Sequence, residues 1–255
     1  MKKTLGILGS GQLAQLLSHR AYQLGIKTIC FCEKEDVPAS RMSEIFIGDL
    51  KNQTDLDMFC KKVNVITIEN ENIDIESLEY LNSQRPVLPG VEIIKVAQDR
   101  FLEKNLFKHL NIPVTKFKKV DSIDDLTHLK NNYNFRESIL KTRRFGYDGK
   151  GQSLVDWNNF QKNWTDISCS PSILEEKVNF ICEISQISSR DTYGNIQHYP
   201  LIENYHKDGI LRTSTCPIKF ATDQDKFSKI SQDYTSKILN TFKYVGVLAL
   251  EIFVL

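Results

Sequence analysis

Residues Thr4 to Cys32 run apolar, glycine turn, helical, glycine stop, apolar, and that order leaves the chain little choice of how to begin. Thr4 to Leu8 reads as a buried strand, Gly9-Ser10-Gly11 as a tight turn, and a helix begins near Gln12. Leu13, Leu16, Leu17, Ala21 and Leu24 fall on one helical face, and Gly25 supplies the stop. Ile26 to Cys32 gives a second strand, so the opening is a β-α-β unit with parallel strands. Its turn fits G-x-G-x-x-A from Gly9 to Ala14, and Glu33 stands near where a dinucleotide enzyme holds its ribose. An NAD-dependent oxidoreductase is therefore one reading. In the other, Gly9 and Gly11 serve only the tight turn, and the helix N-terminus is left to bind any phosphate.

The alternation continues with a strand at Ile45 to Ile47, a helix capped at Thr54 and running to Lys62, and a strand from Val63 to Ile68. That strand ends in Glu69-Asn70-Glu71-Asn72, at the edge where open parallel sheets bind ligands. Two carboxylates there either orient a polar substrate or form a solvated acidic loop. Breakers from Gln84-Arg85-Pro86 to Pro89-Gly90 follow, and an α/β, Rossmann-like first domain is assigned to 1–98. Asp99 caps a helix from Arg100 to Leu110, closed by Asn111-Ile112-Pro113. Arg100 at a helix start opposes the macrodipole, which is understandable if it faces an anion, although a surface arginine is the bland alternative.

Ser138 to Gln152, S-I-L-K-T-R-R-F-G-Y-D-G-K-G-Q, reads as strand, flexible basic loop, strand. Gly146, Gly149 and Gly151 uncover backbone N–H groups beside four cations, Lys141, Arg143, Arg144 and Lys150. That combination suits a polyphosphate covered by a lid. Gly151 stands where a Walker A loop needs Ser or Thr, so the loop is of another kind. An exposed hairpin with ordinary surface charge is the bland alternative.

After the loop the class shifts from α/β to α+β. Ser172 to Leu174 leads into Glu175-Glu176-Lys177-Val178, and Asn179 to Ser189 and Ile196 to Leu201 read as antiparallel strands about a Tyr193-Gly194-Asn195 turn. His206 to Ser214 reads as a polar turn and then a short strand carrying Arg212. Thr222 caps a long helix with Phe227, Ile230, Tyr234, Ile238 and Phe242 on its apolar face. The final strand, Val247 to Leu255, holds one carboxylate, Glu251, in an apolar run. A buried carboxylate needs a partner or a cation, which makes Glu251 a metal-ligand candidate, and a strand with one wet face is the alternative.

Composition narrows the partners. With 33 basic and 32 acidic residues the formal net charge is +1, which gives no electrostatic case for nucleic acid or a membrane surface. Six cysteines with no C-x-x-C pair read as reduced thiols of a cytoplasmic protein, and Cys30 and Cys32 share a strand face, poorly placed for a disulfide. The apolar stretch after Met1-Lys2-Lys3 is broken by Gly6, Gly9 and Gly11, unlike a signal peptide, and no run approaches transmembrane length.

Together these stretches resemble the ATP-grasp superfamily, and within it the N5-carboxyaminoimidazole ribonucleotide synthetases of purine biosynthesis. The resemblance is carried by G-S-G-Q-L-A from Gly9, Q-D-R-F-L-E-K from Gln98, L-K-T-R-R-F-G-Y-D-G-K-G-Q from Leu140, E-E-K-V-N-F-I-C-E from Glu175, Y-P-L-I-E-N-Y-H-K-D-G-I-L-R from Tyr199 and V-G-V-L-A-L-E from Val245. It implies a Rossmann-like domain at 1–98, a small ATP-grasp subdomain with the lid at 99–172, and a large subdomain, incomplete, at 173–255. It also implies that ATP phosphorylates bicarbonate and that the carboxyl group passes from carboxyphosphate to aminoimidazole ribonucleotide. By the same resemblance Arg100 and Lys141 contact the ATP phosphates, and Gly146, Tyr147, Asp148, Gly149, Lys150, Gly151 and Gln152 form the lid. Glu175, Glu176, Lys177 and Val178 read the adenine edge through backbone and carboxylate groups, Glu183 takes the ribose hydroxyls, and His206 joins the nucleotide site. Gln12, Leu13 and Glu69 fall on the ribonucleotide side, Tyr147, Asp148 and Arg212 face carboxyphosphate or the ribonucleotide, and Glu251 holds Mg²⁺. Members continue for about another hundred residues, a length in keeping with ordinary domain sizes, and there complete the metal and carboxyphosphate sites. A truncated chain with little activity of its own is therefore expected, and a homodimer is possible by analogy.

Overall fold

The computed structural model describes residues 3–132, 137–146, 150–207, 209–219 and 224–255. The chain divides into two compact units, 1–95 with 244–246 and 96–243 with 247–255.

The first unit is the expected parallel α/β arrangement. Its elements are β1 (Thr4–Leu8), α1 (Gln12–Gln23), β2 (Lys27–Cys32), a short 3-10 turn at Pro38–Arg41, β3 (Glu44–Ile47), α2 (Gln53–Lys62), β4 (Val65–Ile68), α3 (Ile75–Gln84) and α4 (Val91–Ala97), the last running into the second unit. The strands align in the order β3-β2-β1-β4, all parallel. Four consecutive residues of β2 are buried, as a strand covered on both faces requires. On one side Phe31, Phe46 and Phe59 pack with ring centroids 5.2 to 5.5 Å apart against Leu56, Leu78 and Ile66.

The other side corrects the expected face of α1. Ala14, Ser18 and Ala21 are its buried residues, Ala14 packing with Ile7, Cys30 and Ala39, while Leu13, Leu16, Leu17 and Leu24 are exposed. The small side chains let the helix axis approach the sheet, and the leucines, about a quarter-turn away, are left outside. Three smaller expectations also change. Asn52, not Thr54, caps α2, its side chain accepting from the Thr54 amide. The strand expected from Val63 starts at Val65, and the breaker segment lies between α3 and α4 and forms a parallel bridge from Val87 to Ile66.

The second unit holds two sheets. Following α5 (Arg100–His109) come β5 (Phe117–Val120), α6 (Ile123–Asn132), β6 (Ser138–Thr142), β7 (Gln152–Leu154), α7 (Phe160–Asp166) and β8 (Ser172–Glu176), which form an antiparallel sheet in the order β5-β8-β6-β7. Strand alternation divides it cleanly. Leu140 and Leu174 pack with Val120 on Leu126, Leu129, Phe160 and Trp164, whereas Lys141 and Glu175 lie on the opposite face.

The remaining elements are β9 (Cys182–Arg190), β10 (Ile196–His198), β11 (Ile202–Lys207), β12 (Ile210–Thr215), α8 (Gln224–Thr241) and β13 (Gly246–Val254). β9 pairs antiparallel with β10 and β11, β11 pairs with β12, and β13 joins β9. His206 thus sits in strand β11, not in the turn expected from the sequence. The buried residues of α8 are Ser231, Thr235, Ile238 and Leu239, whereas Ile230 of the expected stripe is exposed. Thr222, its expected cap, lies outside the described residues. Among the described residues no helix is long and apolar enough to cross a membrane, and the six cysteines are free.

Candidate functional site

Gln98-Asp99-Arg100 is the anchor of the glycine loop. Asp99 caps α5 by accepting from the Phe101 and Leu102 amides, and the same carboxylate receives the Arg143 guanidinium. Burial alone would push the Asp99 carboxyl up, but Arg143 and the helix amides outweigh it and hold it below the usual carboxylate range. Gln98 accepts from Arg144, and the Arg100 amide donates to the Arg143 carbonyl at 3.0 Å. The Arg100 side chain then donates to the carbonyls of Thr142 and Gly146, each at 2.8 Å, tying the strand's end to the loop. The backbone of Gly146 comes close here, and a Cβ would stand 2.8 Å from the Arg100 Nη1 and force the guanidinium to shift.

This changes the expected role of the basic side chains. Arg143 and Arg144 are committed to α5's first turn, where they fasten the loop. Arg100 binds the loop's own carbonyls. Lys141 remains on the open face of β6, where its Nζ meets Glu175 Oε2 at 2.6 Å, and Lys104 Nζ meets the other oxygen of that carboxylate at 2.7 Å. Glu175 is 5% exposed. Burial would raise its pKa, but the Lys141 and Lys104 ammoniums together hold it below the carboxylate range. Of the expected lid, Tyr147, Asp148 and Gly149 lie outside the described residues. Lys150 is exposed, Gly151 accepts from the Thr142 amide, and Gln152 pairs with Lys141 across the hairpin. At the end of β8, Glu176 pairs with Lys116 at 3.2 Å and Lys177 with Glu137 at 3.1 Å, and the half-buried Val178 follows.

The second sheet supplies the acidic side of the site. One face of β9 packs Ile184 and Gln186 toward α8 through Phe227 and Ser231, and the other carries Glu183 and Ser185. Glu183 Oε2 stands 2.8 Å from His206 Nδ1. Burial and the Glu251 charge push the Glu183 carboxyl up, against the pull of His206 and Lys141. Lys141 of one sheet and Glu251 of the other therefore act electrostatically on one carboxylate.

Glu251 itself is exposed on β13, not buried as expected. It is nonetheless held: Ser185 Oγ donates to Oε1 at 2.6 Å and the buried Asn204 to Oε2 at 3.3 Å, while Asn204 accepts from Ser214. Neutral donors fix the carboxylate without cancelling its charge. That chemistry fits a magnesium ion completing its shell with phosphate oxygens and water, and the described residues contain no cluster of three or more His, Cys, Asp or Glu. Arg212, two residues before Ser214 on β12, is exposed on the same side.

In the first unit Glu69 accepts from the Gly11 amide at 2.9 Å and the Ala14 amide at 3.2 Å. The N-terminus of α1 therefore already holds a carboxylate, where a dinucleotide fold would hold a pyrophosphate. Gly9, at φ +116°, would place a Cβ 2.6 Å from that of Glu69. Both glycines thus accommodate Glu69, which is fixed by two backbone amides and not loose in a solvated loop, and Gln12 and Leu13 at the start of α1 are exposed.

Residues 105–255 match the ATP-grasp domain and residues 1–98 the ribonucleotide synthetase preATP-grasp domain. The N5-carboxyaminoimidazole ribonucleotide synthase of Pseudomonas aeruginosa is 33% identical over 250 residues, 98% of this chain and 68% of that protein. The chain belongs to the ATP-grasp family, in its N5-carboxyaminoimidazole ribonucleotide synthase branch. The bifunctional purine synthesis protein purC/E of Dictyostelium discoideum is 36% identical over 257 residues, and there the chain spans 98% of its own length but only 25% of the relative's. A Staphylococcus aureus N5-carboxyaminoimidazole synthetase solved in complex with ADP superposes at a TM-score of 0.89, with 28% identity, 99% of this chain and 67% of that one covered.

Sequence reasoning passed over Asp99, Lys104, Ser185 and Asn204 as members of the site. Lys104 and Asp99 were visible inside Q-D-R-F-L-E-K, and the spacing of Arg100 and Lys104, one helical turn, was the signal available for the lysine. Ser185 and Asn204 carry no such signal, because only strand pairing brings them to Glu251.

Proposed function

We propose that the second unit binds ATP between its two sheets, and that the protein uses it with bicarbonate to carboxylate aminoimidazole ribonucleotide, releasing ADP. The observation that supports this most is that one sheet carries Lys141 on Glu175 at 2.6 Å and the other His206 on Glu183 at 2.8 Å, with Glu251 on the strand that pairs with β9. The ammonium side suits phosphates and the acidic side a ribose and a cation.

In this reading Lys141 donates to phosphate oxygens while the anchored loop covers them. Glu183 accepts from ribose hydroxyls with His206 beside it. Glu251 would hold magnesium, which would offset the charge on the phosphate oxygens. Bicarbonate oxygen attacks the γ-phosphorus, the bond to ADP breaks, and carboxyphosphate results. The exocyclic amine of the ribonucleotide then forms the new C–N bond, phosphate leaves, and the amine loses a proton. Excluding water matters because the mixed anhydride is hydrolysed before capture if the site stays open. Within the first unit, Gln12, Leu13 and Glu69 are the residues assigned to the ribonucleotide. Within the second, Arg212 is assigned to the carboxyphosphate.

The test is ADP release by the purified chain with ATP, magnesium, bicarbonate and aminoimidazole ribonucleotide, each omitted in turn. The expected result is ATP binding together with slow release that requires both co-substrates. ATP binding without any such dependence would leave a nucleotide-binding module and overturn the ligase reading.

A further inference from the structure

We propose that Glu175 is a positioning residue for the nucleotide's phosphates, holding Lys104 and Lys141 side by side as a paired-ammonium cradle, and that Lys104 belongs to the phosphate site. This rests on the nucleotide reading above and departs from the expectation that Glu175 reads the adenine edge.

Three elements converge on one carboxylate. Ile139 pairs with Glu175 and Lys141 with Ile173, so Lys141 and Glu175 are diagonal neighbours on the same face of the sheet. Lys104 arrives from α5, one turn beyond Arg100 and on the same side of that helix. Each oxygen of Glu175 then takes one ammonium, at 2.6 Å and 2.7 Å. Thr115 Oγ1 accepts from Lys104 at 3.1 Å and steadies its end, and the Phe117 ring centroid lies 5.8 Å from the same ammonium.

A carboxylate whose two oxygens each hold an ammonium, and which is almost fully buried, is committed to the lysines and poorly placed to meet a base edge. Its charge does explain why two ammoniums stand together, since without an anion between them they would repel and one would swing away. Neutralising Glu175 needs only one lysine, however. The second leaves a surplus positive charge in a half-buried place, with Arg100 on the same helix face. An ammonium has three donors and no acceptor, so the unmet capacity of the pair calls for oxygens carrying negative charge. A polyphosphate supplies them.

The test measures ATP and adenosine affinity of the full chain by displacement of a fluorescent ATP analogue. Adenosine presents the base and ribose without a phosphate. Lys104→Met is expected to weaken ATP by about tenfold or more, as loss of a charge-assisted hydrogen bond does, with adenosine unchanged, and Lys104→Arg is expected to recover most of the loss. Glu175→Gln is expected to weaken ATP and spare adenosine. Equal weakening of both ligands by Glu175→Gln would restore the adenine-reading role and overturn the proposal, as would ATP affinity indifferent to Lys104→Met. Should Glu175→Gln fail to fold, the two Lys104 variants decide alone. Failure of the unsubstituted chain to bind ATP sinks the nucleotide reading itself, a different result from ATP binding that ignores Lys104.

Discussion

Asp99 shows how much one side chain can be asked to do. It caps α5, receives Arg143, and so joins the first turn of a helix to the base of the glycine loop. Because its folded-state pKa is depressed, it contributes stability above the unfolded value of ~4 that is lost as pH falls through the lower folded one. Asn at this position still caps a helix but cannot pair with Arg143. Asp99→Asn is therefore expected to cost about 1.5–3 kcal/mol at neutral pH, with the deficit shrinking once the parent's carboxyl is itself protonated. Urea unfolding of both proteins from pH 7 down to pH 3 checks this, and a deficit independent of pH would count against the ion pair. Glu251 offers a second measurement. Glu251→Ala is expected to make ATP affinity less sensitive to magnesium, and superimposable magnesium titrations would remove it from the metal site. The candidate residues themselves were legible in their motifs. Which cation meets which anion was not, because Lys141 and Glu175 are 34 positions apart and their contact depends on strand register.

At the scale of elements, α1 is the instructive case. Helical periodicity finds a leucine face, yet the helix turns its alanine and serine face to the sheet. Periodicity reports where apolar residues recur but says nothing of how close the neighbouring backbone comes, and close approach favours small side chains. Leu16→Asp is expected to change stability by no more than about 0.5 kcal/mol, as an exposed substitution does. Ala14→Leu is expected to cost about 1–3 kcal/mol through overpacking. Denaturant midpoints of the two variants give the comparison, and the reverse order would return the leucines to the core. α8 repeats the lesson in another form: it buries Ser231, whose hydroxyl donates to Gln186 Oε1 at 3.0 Å, where an apolar stripe was expected. A hydrogen-bonded pair crossing from helix to strand is invisible to a hydrophobicity pattern.

For the molecule as a whole, the division into two units places the aromatic core around Phe59 in one and the candidate nucleotide residues in the other. Phe59→Ala is expected to cost about 3–5 kcal/mol in the first unit while ATP affinity stays within about twofold, each unit having its own core. Hydrogen exchange resolved along the chain is the measurement, with protection lost in β1, β2 and β4 and kept in β6 and β8. Equal loss in both would show a single cooperative structure.

Local chemistry was enough to foresee the parallel β-α-β opening, the Asp99 cap, the hairpin bearing the glycine loop and the antiparallel second half. Each depends on backbone preferences and hydrogen bonds reaching only a few residues along the chain. The fate of the charges was decided in three dimensions. Arg143 and Arg144 became fasteners, Glu69 took the helix end that the sequence left open to a phosphate, and Glu251 came to face outward under the hold of Ser185 and Asn204. Charges choose partners by distance in space, and that distance is set by packing and strand pairing between residues far apart in the chain.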